Sequence, residues 1–199
     1  MTPPDLQVIL LAAGSASRFG SPKLLAEIHG RPLLVRAIET LLEVVARDQL
    51  VVVLGADADR LEPLVNQAKV ELVLNPEHAK GMAASIRSGL TSVPSNCGAV
   101  LIALADQVAV TPDDLRRLID CWHDQPERIA AAWYDEVAGV PAIFPAAQFA
   151  ELTKLQGDRG ARELLRRLAG QVVTVAMPSA AVDVDTQADL AACEGYVGA

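Results

Sequence analysis

Short apolar runs alternate with amphipathic stretches through the first half of the chain, and this alternation restricts the possible folds more than any other feature. Residues 7–11, 50–54, 70–74 and 98–104 are dominated by Val, Ile, Leu and Ala. Runs this short, bounded by Gly, Pro or Asn, fit strands covered on both faces. Between them, residues 32–46 place Leu33, Leu34, Ala37, Ile38, Leu41, Leu42 and Val45 at helical spacing, and residues 57–67 read as a shorter helix. Strand–helix–strand repetition predicts an α/β chain with a parallel, right-handed wound sheet, organised as one domain over residues 1–199. Further helices are expected near 81–90, from 111 to about 123, after Gly160 and after Asp185. Further strands are expected at 129–133, 139–145, 171–176 and 180–182.

The first strand runs into LAAGSASRFGSPK, residues 11–23. Small residues after Leu11, namely Ala12, Ala13 and Gly14, leave main-chain N–H groups open to a polyphosphate, and Arg18 and Lys23 supply two cations. Pro22 opposes a regular helix here, because proline lacks an N–H and disfavours α geometry in Ser21. The loop belongs at the strand's carboxyl end, where open α/β sheets bind ligands. Two familiar phosphate loops are excluded. Five residues separate Gly14 from Gly20, and Lys23 comes three later, which breaks the Walker A spacing; a dinucleotide fingerprint would need glycines where Ala16 and Phe19 stand.

Other candidate site residues recur at strand ends. Asp106 follows the apolar run 98–104, on the same sheet edge as the cationic loop. Its carboxylate suits Mg²⁺, which takes oxygen ligands and keeps waters. The competing role, capping the next helix, is already filled by Thr111-Pro112-Asp113-Asp114. Asp183 and Asp185 lie two apart, so an extended segment would turn both to one side; either could join Asp106 at a metal, while Asp185 or Thr186 could instead cap the last helix. Asn75, Gly81, Met82 and Ser85 open a turn and a helix. Gly157, Asp158, Arg159, Gly160 and Arg162 form a second glycine-bracketed turn, whose arginines match the oxygens of an anion near a helix N-terminus. Gly139 allows close approach of a ligand, and Pro141 is expected at a sheet edge or at the start of its strand. Trp133 and Tyr134 line a pocket or pack in the core, and His78 reads as an exposed turn residue.

A formal charge of −8 and a pI near 4.8 argue against general nucleic-acid binding. Three scattered cysteines without C-x-x-C spacing read as reduced thiols, and neither a signal peptide nor a membrane-spanning run is evident. A cytoplasmic setting is expected. Three scattered histidines give no nucleophilic triad.

The motifs L-A-A-G-x-x-x-R-F-G-x-x-K, N-P-x-x-x-x-G-M-x-x-S-I-x-x-G-L, A-D-Q, G-x-P-x-x-F, G-D-x-G-A-R-x-L-L and D-V-D-T-x-x-D-L fall in order along the chain. Together they resemble the family of molybdenum cofactor cytidylyltransferases and related MobA-like NTP transferases. Val108 departs from the Pro that this family usually carries after D-Q. The resemblance implies a three-layer Rossmann-like nucleotidyltransferase fold with a mostly parallel twisted sheet, Mg²⁺ as cofactor, and an NTP plus a small phosphorylated acceptor as partners. It assigns Leu11, Ala12, Ala13, Gly14, Lys23, Asn75, Gly81, Met82 and Ser85 to the nucleotide, with Arg18 and Lys23 as the catalytic cations. Asp106, Asp183 and Asp185 become the metal candidates, and Gly139, Asp158, Arg159 and Arg162 the acceptor candidates. Guanylyltransferases of the family typically carry L-A-G-G and an Asp before the loop Lys. Ala13 and Pro22 stand there instead, which leans towards CTP, with molybdopterin or its molybdenum form as acceptor and a molybdenum-enzyme maturation factor as a further partner.

Overall fold

The computed structural model describes residues 6–14, 19–157 and 160–193. Its centre is a seven-stranded sheet of β1 (Leu6–Ala12), β2 (Leu50–Leu54), β3 (Glu71–Leu74), β4 (Ala99–Leu104), β5 (Ile129–Tyr134), β6 (Val137–Pro145) and β7 (Val172–Ala176). The spatial order is β3-β2-β1-β4-β6-β5-β7, and only β6 runs against the others. The chain winds outward from β1 to β3, then returns to add β4 on the other side of β1. The order therefore reverses between β1 and β4, and the crevice at their carboxyl ends is where such sheets bind ligands.

Among the described residues there are seven α-helices: α1 (Leu33–Leu42), α2 (Ala58–Ala68), α3 (Met82–Leu90), α4 (Pro112–Asp124), α5 (Phe149–Thr153), α6 (Ala161–Arg167) and α7 (Gln187–Cys193). Alternation along β1 divides the core. Val8 and Leu10 meet the apolar stripes of α1, α2 and α4, while Ile9 and Leu11 meet those of α3, α5 and α6. Three layers result, and the central strands read as continuous apolar runs because both faces are covered. At about 1.5–3 kcal/mol for each fully buried Leu, Ile or Val, these two faces drive collapse.

Four local expectations differ from the structure. Helix α1 ends at Leu42 rather than near Ala46, because the Gln49 side chain accepts the Ala46 N–H and starts a tight turn into β2. Strand β6 begins at Val137, two residues earlier than Gly139, across a hairpin whose tip residues Asp135 and Glu136 both take positive φ. No strand forms at 180–182: Pro178 opens a 3₁₀ turn over Pro178–Ala181, and only an isolated bridge from Asp183 to Gln107 follows. Pro141 lies neither at an edge nor at the start of its strand. Ala131 pairs with Ala142 and Ala132 with Gly139, so Val140 and Pro141 form a bulge, a position that needs no ladder N–H; the Val140–Pro141 peptide is cis.

Candidate active site

The carboxyl ends of β1 and β4 deliver two opposite charges into the crevice between them. Beyond β1, Pro22 leads into a 3₁₀ turn over Lys23–Leu25, and the Lys23 side chain, 15% exposed, points back over the sheet edge. Its ammonium donates to Asp106 Oδ2 at 2.8 Å and to Asp185 Oδ1 at 3.1 Å. Burial alone would lower the Lys23 pKa, but Asp106 and Asp185 outweigh it and hold the ammonium above its ordinary value. Leu11, Ala12, Gly14, Lys23 and Asp106 all line one cleft of about 60 Å³. The expected loop residues and the expected metal carboxylate thus meet, although far apart in sequence. Arg18 lies outside the described residues, as do Asp158 and Arg159.

Asp183 belongs to the same cluster. Its carboxyl keeps solvent access, yet crowding by surrounding protein, with the charges of Asp106 and Asp185, pushes its pKa up to about 6 against the pull of Lys23 and Arg162. Asp185 is not the helix cap. Thr186 and Asp189 exchange the reciprocal bonds of a capping box at α7, and Asp185 turns to Lys23. Among the described residues no three His, Cys, Asp or Glu side chains form a ready metal shell. The donor set still fits magnesium, which binds through one or two carboxylates and takes its other oxygens from water and phosphate. A carboxyl that resists ionisation among like charges also gains from an added cation.

On the far side of β1, Asn75 and Ser85 are buried and bonded to one another, with Asn75 Oδ1 also accepting the Glu77 N–H. They fix the turn from which Gly81 and Met82 lead into α3. Gly81 has φ +94°, a conformation that side-chain-bearing residues rarely adopt. His78 is half-buried rather than exposed; a Cβ on Gly55 would stand 2.6 Å from the His78 Cβ. The second glycine turn packs against this element: Ala83 N–H donates to Gly157 O at 3.1 Å, and a Cβ on Gly160 would meet Met82 Sδ at 2.3 Å.

Gly139 and Arg162 meet at Tyr134. The Tyr134 hydroxyl donates to Val140 O at 3.1 Å and accepts from Arg162 Nη2 at 3.4 Å, and the guanidinium carbon lies 5.6 Å from the ring centroid. A Cβ on Gly139 would fall 2.4 Å from that hydroxyl, so glycine is what lets the tyrosine lie there. Tyr134 is buried, whereas Trp133 is 44% exposed. Trp133, Ala138, Arg162, Arg166, Val172 and Thr174 border a cavity of about 690 Å³. Tyr134 is read from the sequence as lining a pocket or packing in the core, and the structure buries it; Gln107 carries no site role in the sequence, and the A-D-Q motif is the signal available there.

Comparison with known proteins shows which family the chain belongs to. Residues 8–172 match the MobA-like NTP transferase domain, and the chain belongs to that family. It is 31% identical over 194 residues to a protein named nicotine blue oxidoreductase from Paenarthrobacter nicotinovorans, covering 92% of this chain and 93% of that one. It is 30% identical over 195 residues to a probable molybdenum cofactor guanylyltransferase of Rhodopirellula baltica, covering 94% and 91%. The crystal structure of Rv0371C from Mycobacterium tuberculosis, a complex with manganese, superimposes with a TM-score of 0.79 at 25% identity, covering 96% of this chain and 98% of that one. No helix among the described residues is long and apolar enough to cross a membrane.

Proposed function

We propose that this member of a nucleotidyltransferase family moves CMP from CTP onto a phosphorylated acceptor, molybdopterin or its molybdenum form, with Mg²⁺ and release of pyrophosphate, in the cytoplasm and beside a molybdenum-enzyme maturation factor. The observation that carries the reading is the Lys23 ammonium held between Asp106 and Asp185 where the strand order reverses. An acceptor oxygen attacks the α-phosphorus in line, a reaction that needs orientation and charge neutralisation more than a protein nucleophile. The main chain of 11–14 cradles the polyphosphate, and Lys23 with Arg18 neutralises charge developing on the departing pyrophosphate. Asp106, with Asp183 or Asp185, would hold Mg²⁺, which when bound neutralises phosphate oxygens. The manganese complex of the M. tuberculosis relative supports a divalent ion on this fold. The cavity beside Arg162 and Trp133 has the volume and the cations to seat an anionic acceptor. Ala13 and Pro22 support CTP, while the guanylyltransferase relative makes GTP the competitor to be tested.

The test is pyrophosphate release from each NTP with Mg²⁺ and molybdopterin or its molybdenum form. CTP turnover that falls about 100- to 1,000-fold in Lys23→Ala supports the proposal. Wild-type release no greater than that of the variant refutes it. Because one relative is named nicotine blue oxidoreductase, the same preparations are assayed for two-electron reduction of nicotine blue with a reduced nicotinamide as the donor. Turnover only there would move the chain to that chemistry. Nucleotide binding without turnover, indifferent to Asp106→Asn, would leave a noncatalytic binding protein.

A further inference from the structure

Gln107 follows Asp106 directly, yet its side chain turns away from the cleft into the protein. It is 6% exposed, and its Nε2 donates to Val140 O at 3.0 Å and to Ala180 O at 2.7 Å. The first carbonyl belongs to the β6 bulge, whose two residues have no partners on β5. The second lies within the 3₁₀ turn, three residues before Asp183. The main chain repeats the connection: Gln107 forms the isolated bridge with Asp183, and Val184 N–H donates to Asp106 O at 3.2 Å. One amide thus ties together the loop carrying Asp106, the bulge beside Tyr134, and the segment carrying Asp183 and Asp185. The segment lacks a strand of its own to hold it.

We infer that Gln107 is a positioning residue that sets Asp183 and Asp185 against Asp106, so that the carboxylates can share one divalent cation. The inference rests on the proposed metal-dependent transfer, but it concerns the spacing of the carboxylates and not the identity of the nucleotide. A solely architectural role explains the side chain less well. Its Oε1 is buried without a hydrogen-bond partner, a cost that an apolar side chain of similar shape would not carry. What glutamine adds here over such a side chain is the pair of Nε2–H donors aimed at two carbonyls from different elements. Neither carbonyl is taken up by the sheet ladder, because one lies in a bulge and the other in a 3₁₀ turn.

The experiment compares wild type with Gln107→Met, which keeps the length and apolar bulk but cannot donate, and Gln107→Asn, which keeps the amide on a shorter arm. Mn²⁺ affinity is read by electron paramagnetic resonance, with and without a non-hydrolysable NTP analogue; thermal unfolding and steady-state kinetics are measured alongside. Loss of an outer partner of metal-binding side chains weakens metal binding or activity about 10- to 100-fold. That range is expected for Mn²⁺ affinity and kcat in Gln107→Met, with KM for the nucleotide within about threefold, because the Gln107 side chain donates to Val140 and Ala180 rather than to residues 11–14 or Lys23. A folded variant with wild-type Mn²⁺ affinity and kcat, changed only in melting temperature, overturns the inference. So does failure of both variants to fold, since the amide would then serve the fold alone. Wild-type protein that binds Mn²⁺ at the aspartates but turns over no nucleotide refutes the proposed function and leaves the inference to be decided by the affinities.

Discussion

Gly89, buried near the end of α3, offers a sharp test of how that helix packs on the sheet. A Cβ placed there would stand 2.4 Å from Ile9 Cγ2 and 3.1 Å from Val53 Cγ2. Both partners are completely buried in the central strands β1 and β2, where stiff β-branched side chains have no room to turn away. Two effects oppose each other in Gly89→Ala. Alanine gains about 1 kcal/mol of helix propensity over glycine in a helix interior. Overpacking a dense core costs roughly 1–3 kcal/mol, and a contact this short against two immobile neighbours belongs at the top of that range. The net expectation is about 2 kcal/mol of destabilisation, a fall of about 1 M in the urea midpoint at a slope near 2 kcal/mol/M. Gly170→Ala is the control: nothing lies within 4 Å of a Cβ there, and it should stay within about 0.5 kcal/mol of wild type. A Gly89→Ala variant as stable as wild type would refute the packing of α3 against Ile9 and Val53.

Two further outcomes follow from the same contacts. Asp114 is buried at the start of α4, and although burial works to raise its pKa, bonds from Ser179, Thr111 and Arg117 hold it below its ordinary value. A depressed carboxyl contributes stability above its unfolded value near 3.8 that is lost as pH falls through the folded one. Asp114→Ala should therefore cost about 1–3 kcal/mol at neutral pH, and progressively less below about pH 4, in denaturation curves taken across that range. A cost independent of pH would place the effect elsewhere. Tyr134→Phe removes the hydroxyl between Val140 O and Arg162. Losing about 1 kcal/mol of anchoring should raise the acceptor KM about fivefold and leave the nucleotide KM unchanged; equal effects on both would refute a role confined to the acceptor side.

Much of the architecture is local and therefore legible in the chain. The apolar runs of β1, β2 and β4 are long enough and pure enough to declare two-sided burial, and the Thr111-Pro112-Asp113-Asp114 start of α4 is the capping box observed. Where the reading failed, a local side-chain bond or backbone turn that hydrophobic periodicity does not encode intervened. Gln49 reaches back to Ala46 and cuts α1 short, and Pro178 turns an apolar stretch that looks like a strand into a 3₁₀ turn. Pro141 sits inside β6 because a bulge removes the need for its N–H, which no count of neighbouring residues reveals.

The site divides in the same way. Sequence alone determined its ingredients: a small-residue loop with Lys23 after one strand, Asp106 after another, and Asp183 and Asp185 near the end. These follow from residue type and from position relative to an apolar run, both written along the chain. Tertiary structure decided the pairings, namely Lys23 with both Asp106 and Asp185, Arg162 on Tyr134, and Gln107 across to Ala180 and Val140. Each joins segments of different elements, and Lys23 and Asp185 lie 162 residues apart. The Lys23–Asp106 pairing arises only when the β3-β2-β1-β4 winding brings two strand ends to one crevice. Local propensity carries no information about that closure, which is set by the order in which the strands add to the sheet.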